Sequence, residues 1–433
     1  MMEVEQIRWV FYSLPVIFII LYAIYQTRKQ ARNLSAFNKA ETEGLAEPAS
    51  LHPLIEPHKC IGCAACVTAC PEENVLGVIQ GKGRLINPSH CIGHGACKAA
   101  CPVGAITLVF GTAKRGVDIP FVKPNFETNV PGIYIAGELG GMGLIRNAVE
   151  QGRQALEAIA DDKKGSGDYD VIIIGAGPAG FSATLGAKQK GLKYLTLEQD
   201  SLGGTVFNFP RGKIVMTHPM LLPIIGKIKI RETTKEALLA MWQEIEKKTD
   251  IKINYQENVL AIKAQGESFE IKTGKTSYTT AKILLAIGRR GTPRKLGVPG
   301  EELAKVVYRL IDAEQYKGQH VLVVGGGDSA LEAAISIAEQ EGTTVSLSYR
   351  SEAFSRAKEK NRQKVEQAEK DGRLQVMFKS NVKSIDAKSV EIEQEGQLTK
   401  IENDAVIVSA GGILPTPMLK EIGIEIETKY GTE

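Results

Sequence analysis

Apolar positions fall into runs of two kinds along this chain. One long run, Trp9 to Tyr25, contains no charged residue, and a polar stretch from Gln26 to Pro57 follows it. With Ile7, that run matches the ~20 residues a helix needs to cross a bilayer core. A transmembrane helix is predicted over 7–25. A polar tether with room for one short helix is predicted over 26–55. Further on the runs shorten to Tyr169–Ile174, Tyr194–Leu197, Lys282–Ala286, Val321–Val324, Val345–Tyr349 and Asp404–Ala410. Short apolar runs bounded by turn residues read as strands buried on both faces, the pattern of parallel sheets. Strand, glycine turn, helical stretch, second strand, hairpin-like stretch and closing strand occur twice in that order. The chain therefore holds an internal repeat of two α/β units.

Two of these strands run straight into glycine loops. The first is followed by Gly175-Ala-Gly177-Pro-Ala-Gly180, a helical stretch and a strand that ends at Glu198. Glycines let a backbone approach a pyrophosphate at a helix N-terminus, and an acid about twenty residues on accepts hydrogen bonds from a ribose hydroxyl. The second is followed by Gly325-Gly-Gly327-Asp-Ser-Ala330, a helix and the strand Val345–Tyr349. No carboxylate ends that strand; Arg350 does, with Arg356 shortly after. Arginine in this place accommodates a 2′-phosphate, so NADPH is expected, with NADH the alternative if these arginines are only solvated. The two units close on glycine turns at Gly288 and Gly411.

All seven cysteines lie between Cys60 and Cys101. They read Cys60-x-x-Cys63-x-x-Cys66-x-x-x-Cys70-Pro71 and Cys91-x-x-His94-x-x-Cys97-x-x-x-Cys101-Pro102, the two-cluster bacterial ferredoxin spacing with one histidine substituted. Three closely spaced thiolates bind one 4Fe-4S cluster, and the fourth cysteine, before proline, ligates the other. One cluster would take Cys60, Cys63, Cys66 and Cys101; the second would take Cys70, Cys91 and Cys97, with His94 in the remaining place. A zinc site or disulfide scaffold does not require this repeated tight spacing. For His94 three readings stay open: a cluster ligand, a neighbour of a three-iron cluster, or a solvated loop residue. The other histidines form no constellation.

The formal charge of +3 offers no strongly basic surface, and nucleic acid is not an expected partner. Glu3 and Glu5 lead the long apolar run, and Arg28, Lys29 and Arg32 follow it, which favours a membrane anchor over a cleaved signal peptide. The positive-inside rule then places the N-terminus outside and the redox domains in the cytoplasm, on a bacterial inner membrane. Reduced cysteines suit that compartment.

From Lys114 onward the chain resembles the thioredoxin-reductase-like branch of the two-dinucleotide-binding flavoproteins. Ala286-Ile-Gly288-Arg-Arg-Gly-Thr-Pro-Arg and Leu296-Gly-Val-Pro-Gly-Glu301 look like that family's link between its FAD and NADPH domains. Leu202-Gly-Gly-Thr-Val-Phe-Asn-Phe-Pro210 is similar to the bacillithiol-disulfide-reductase subgroup. The resemblance implies FAD at Gly175, Gly177, Gly180, Glu198 and Gly288. It fails at the dithiol: the nicotinamide domain has no Cys-x-x-Cys, and Ala179 stands where the subgroup places a cysteine in its first glycine loop. Electrons then need another exit. Segment order differs too. The Gly-Asp turn and helix that complete the family's FAD site after the second unit are matched here by an earlier piece, Phe126 to Gly137-Glu138, Gly140 to Gly143 and Leu144 to Ala160. This looks like a circular permutation, with Glu138 replacing the aspartate that holds the flavin ribityl chain.

The expected fold is α/β, with two Rossmann-like domains, a small α+β two-cluster ferredoxin domain and one N-terminal transmembrane helix. Its boundaries are 56–112 for the ferredoxin-like domain, 113–162 for the permuted segment, 168–296 for the FAD domain, 297–410 for the NAD(P)H domain and 411–433 for a return to the FAD domain. The expected function is a membrane-anchored FAD-dependent NAD(P)H oxidoreductase. It would pass electrons between NADPH, FAD and two 4Fe-4S clusters, to or from a ferredoxin, a quinone or a membrane complex. An electron-input subunit like the small chain of glutamate synthase and a non-enzymatic flavin/iron–sulfur sensor are the rivals. No residue pair indicates acid–base catalysis, and related flavoproteins are often homodimers.

Overall fold

The computed structural model describes the chain except residues 1, 43–47, 49–50, 73, 92, 94, 114–115, 142, 163–164, 210, 212–213, 217–218, 231, 290–292, 356 and 433. It divides into two units, Met1–Arg115 with Gly431–Glu433, and Gly116–Tyr430.

The first unit opens with one continuous helix, α1 (Met2–Thr42). Residues expected as tether are helical to Thr42, because Gln, Arg, Lys, Ala and Leu dominate them and neither glycine nor proline interrupts. Asn33 Nδ2 donates to the Val78 carbonyl at 3.0 Å, and Ala40 is buried, so this end of the helix is fixed to the cysteine-bearing region. Among the described residues no helix is long and apolar enough to cross a membrane. The described side chains of the apolar run, Tyr12 and Leu14 to Tyr25, are exposed. Residues 7–25, expected as a transmembrane helix, form part of α1, and the side chains of Ile7 to Phe11 and of Ser13 lie outside the described ones.

After it come β1 (His52–Ile55), α2 (Ala65–Ala69), β2 (Leu76–Ile79), β3 (Lys82–Leu85), α3 (Ala96–Ala99) and β4 (Ile106–Val109). Strand β1 pairs antiparallel with β4, and β2 with β3. Residues 52–55, assigned above to the tether, thus belong to the cysteine-bearing fold. The short helices α2 and α3 start alike, on left-handed Ala64 (φ 61°) and Gly95 (φ 79°), as the repeated cysteine spacing leads one to expect. Phe110 bridges Thr432, so the chain's last residues close on this unit and not on the second.

The second unit begins with β5 (Val117–Pro120), β6 (Ile133–Ile135) and α4 (Ile145–Asp161). Next come β7 (Val171–Ile174), α5 (Pro178–Gln189), β8 (Tyr194–Leu197) and two antiparallel pairs, β9 (Ile214–Met216) with β12 (Glu232–Thr234) and β10 (Met220–Leu222) with β11 (Gly226–Ile228). Helix α6 (Lys235–Thr249) and β13 (Ile253–Asn254) lead to a meander of β14 (Val259–Gln265), β15 (Ser268–Thr273) and β16 (Ser277–Thr280), and then to β17 (Ile283–Leu285). Five strands form one parallel sheet in the order β13-β8-β7-β17-β6. Although β6 precedes β7 in the chain, it takes the edge beside β17. All four residues of β7 are buried, as a strand covered on both faces must be. Helix α4 meets α5 almost backbone to backbone: a Cβ on Gly152 would lie 2.0 Å from the Ala179 carbonyl oxygen.

The pattern then repeats. Strands β18 (Val306–Val307) and β19 (His320–Val324), α7 (Asp328–Ala338), β20 (Thr344–Tyr349), α8 (Glu359–Lys370) and β21 (Leu374–Phe378) precede a second meander. That meander is β22 (Ser380–Ile385), β23 (Ser389–Gln394) and β24 (Gln397–Glu402), and β25 (Ala405–Val408) follows it. The second parallel sheet runs β18-β25-β19-β20-β21. Finally α9 (Thr416–Glu421) and β26 (Ile426–Lys429) return to the first sheet. Leu419 and Ile424 join the core of Ile133, Ile172 and Leu285, and β26 pairs antiparallel with β5.

Candidate functional site

The strands of the first sheet deliver the predicted residues to one edge, in strand order. Strand β8 ends at Glu198, β7 at Gly175 to Gly177, β17 at Gly288 and β6 at Gly137 and Glu138. Three glycines of the first loop do different work. Gly175 (φ +101°) passes so close to its neighbour that a Cβ would lie 2.6 Å from the Ala286 oxygen. A Cβ on Gly180 would lie 1.8 Å from the Gly175 oxygen, so α5 packs directly on the turn. At Gly177 nothing lies within 4 Å of a Cβ position, and this space opens at the start of α5. Backbone N–H groups at a helix start, with room in front of them, fit a pyrophosphate.

Glu198 is buried. Its Oε2 accepts from the Ala176 N–H at 2.7 Å and its Oε1 from the Asp200 N–H at 2.9 Å. Burial pushes this carboxyl above the usual range against those two bonds. It braces the glycine loop, and each oxygen retains acceptor capacity for a hydroxyl. Gly203 and Gly204 lie over the same loop: Gly203 N–H donates to the Ala176 oxygen at 3.0 Å. At the far strand Gly137 N–H donates to Gln151 Oε1 of α4 at 2.9 Å. The Glu138 carboxylate faces Gly143, whose Cβ would lie 3.4 Å from it.

The second sheet repeats the loop. Gly325 has φ +145°, Gly327 faces open space, and buried Ala330 holds the third place. The Tyr349 ring lies against Gly326, where a Cβ would approach it to 2.4 Å, and stacks on Phe354 with centroids 5.6 Å apart. Arg350 follows β20 and is exposed. Arg356 lies outside the described residues.

In the first unit, Cys60, Cys63, Cys66 and Cys101 line one cavity with Gly83 and Ala105. Gly83 N–H donates to Cys60 Sγ at 3.3 Å and Ala105 N–H to Cys101 Sγ at 3.2 Å. Cys70, Cys91 and Cys97 sense one another. The Cys91 thiol is pushed up to about 11 by burial first, then by Cys97, Cys70 and Glu72, against a hydrogen bond from the Gly93 N–H. Iron bound here would supply positive charge that favours the thiolate forms. No cysteine is in a disulfide. Among the described residues no three His, Cys, Asp or Glu surround one point as a single metal ion demands. A cluster makes a different demand, since each thiolate binds its own iron. His94 lies outside the described residues.

Three contributors escape the sequence pattern. Lys82 Nζ donates to the Cys60 carbonyl at 2.7 Å, placing a cation beside the first cavity. Gln151 holds the Gly137 turn. Arg289, half-buried next to Gly288, bonds through Nη2 to the Asp118 carbonyl at 2.9 Å. Only the sequence doublet Arg-Arg after Gly288 hinted at the last of these.

Comparison with known proteins places these features. Residues 172–432 match the pyridine nucleotide-disulphide oxidoreductase family, and residues 52–102 match a 4Fe-4S dicluster domain. The bacilliredoxin reductase of Bacillus subtilis is 30% identical over 266 residues, covering 60% of this chain and 82% of that protein. A ferredoxin–NADP reductase of Pediococcus pentosaceus is 30% identical over 273 residues, covering 60% and 79%. Among solved structures, the bacillithiol disulfide reductase of Staphylococcus aureus matches with TM-score 0.54 and 27% identity, over 60% of this chain and 81% of that one.

Proposed function

The chain belongs to the pyridine nucleotide-disulphide oxidoreductase family, and from that premise we propose that it moves electrons between NADPH and two iron–sulfur clusters by way of FAD. Its class, an FAD- and NAD(P)H-dependent oxidoreductase with a 4Fe-4S dicluster domain, follows from the two family matches. The finer reading rests on one observation: every cysteine lies in the cluster loops and none in Gly116–Tyr430. A dithiol cannot be the exit for electrons from a unit that holds no thiol. Ala179, buried in the first glycine loop, offers no sulfur either. Relatives named as ferredoxin–NADP reductases therefore make the better analogy than those named for bacilliredoxin.

On this reading a bound nicotinamide would supply hydride chemistry, a bound flavin the exchange between electron pairs and single electrons, and the clusters one-electron carriage. The chain's residues bind and space these groups. Gly175, Gly177, Gly180 and Glu198 hold the pyrophosphate and adenosine ribose of FAD, and Gly137 and Glu138 hold its flavin half. Gly325, Gly327 and Ala330 bind the second dinucleotide, with Arg350 selecting its 2′-phosphate. Cys60, Cys63, Cys66 and Cys101 hold one cluster; Cys70, Cys91 and Cys97 hold the other. The early position of β6 and α4 in the chain supports a permuted FAD domain, since they fill the sheet edge that a later segment would otherwise occupy.

An anaerobic titration with NADPH, and separately NADH, tests this. Flavin absorbance and the paramagnetic cluster signals should change together, at lower NADPH than NADH. Flavin that bleaches while the clusters stay oxidised, or protein without acid-labile sulfide, would overturn the reading.

A further inference from the structure

Past the ends of β17 and β6, two residues of opposite charge leave the first sheet side by side. These strands are parallel neighbours with Leu285 opposite Ile135, and Arg289 and Glu138 follow Gly288 and Gly137. Arg289 is half-buried. Burial pulls its guanidinium below the ordinary arginine range, against the charges of Glu138 and Asp118. A guanidinium carries five N–H donors. Among the described residues only one hydrogen bond engages them, to the Asp118 carbonyl. A cation withdrawn from water with most donors unused is costly unless an acceptor arrives from elsewhere.

The sheet order says which acceptor that is. Along the carboxyl edge, Glu198 comes first, then the open space at Gly177, then β17 and β6. With the adenosine ribose at the first position and the pyrophosphate at the second, an extended FAD puts its flavin half over the last two. We infer that Arg289 bonds through its spare N–H groups to acceptor atoms of the flavin ring system and favours the reduced form. A hydride delivers two electrons and one proton, so the neutral oxidised ring becomes singly negative on accepting it. A fixed positive charge beside it stabilises that product more than the reactant. The inference rests on the proposal that FAD occupies this edge.

The test is the two-electron midpoint potential of bound flavin, measured with dithionite and a reference dye, in wild type, Arg289→Met and Arg289→Lys. Neither NADPH nor cluster transfer enters this measurement. Arg289→Met should weaken the preference for reduced over oxidised flavin about tenfold, a shift of about 30 mV to more negative potential, while Arg289→Lys stays near wild type. An unchanged potential in Arg289→Met overturns the inference and leaves the FAD site standing. Wild-type protein purified without FAD overturns the site itself. If Arg289→Met loses flavin, Arg289→Gln and Arg289→Lys are compared at equal added FAD. Retention by lysine alone supports the fixed charge, and equal loss in all three overturns it.

Discussion

Gly177 and Gly180 stand three residues apart, and a methyl group at each meets opposite surroundings. Gly177→Val fills space that no protein atom occupies. It should lower the flavin content of purified protein several-fold while the apoprotein melts almost unchanged. Gly180→Ala drives a Cβ into the Gly175 carbonyl and should cost about 1–3 kcal/mol of stability, read by chemical denaturation. Equal effects of both changes on melting would remove the division of labour within the loop. Arg350→Ala should raise the KM for NADPH about tenfold or more and leave that for NADH unmoved, because only the phosphorylated nucleotide loses a charged hydrogen bond. Glycine positions were legible in the sequence because their spacing alone implies a turn, an opening and a close approach. Arg289 was not, since one arginine in a basic turn looks solvated until burial and a neighbouring strand are known.

Single elements were legible where the signal was local. Strand β7 and, after His320, strand β19 are uninterrupted β-branched and leucine runs, and no other reading of them competes. Strand β1 escaped because His52–Ile55 contains a proline and pairs only with the distant β4. The extent of α1 escaped because a polar segment without breakers looks like a tether until Asn33 is seen gripping Val78. Within the segment that leads from the first sheet to the second, one carboxylate gathers three donors. The Glu301 carboxylate accepts from the Leu296 N–H, from the Gly297 N–H at 2.8 Å and from the Tyr308 hydroxyl at 2.7 Å. Burial would raise its pKa, but those three donors outweigh it and hold the group below the usual range. Its stabilisation is therefore complete above the ordinary carboxylate value and fades as pH falls through the lower folded value. Glu301→Ala should cost about 1–2 kcal/mol at pH 7 and progressively less in acid. A penalty that is the same at pH 7 and in acid would exclude this role.

At the scale of the whole molecule, the repeat of two sheets was legible from the recurrence of one segment order. The edge place that β6 takes beside β17 was announced by no local pattern, only by the resemblance of its segment to the piece that completes the FAD site in the family. Unread was the pairing of Thr432 with Phe110, a contact 322 positions apart along the chain that no local pattern announces. Stripping iron with a chelator should abolish the paramagnetic signals yet leave NADPH able to bleach the flavin, since the residues assigned to the two nucleotides all lie in Gly116–Tyr430. Loss of bleaching in parallel with iron would tie the halves more tightly than the residue assignments allow. Sulfur placement carries a physiological corollary. With Cys63 exposed and every other sulfhydryl confined to the same small unit, oxygen and peroxide find the chain's thiols in one place. A molecule damaged in air should still consume NADPH, but the electrons would fall to whatever oxidant reaches the flavin.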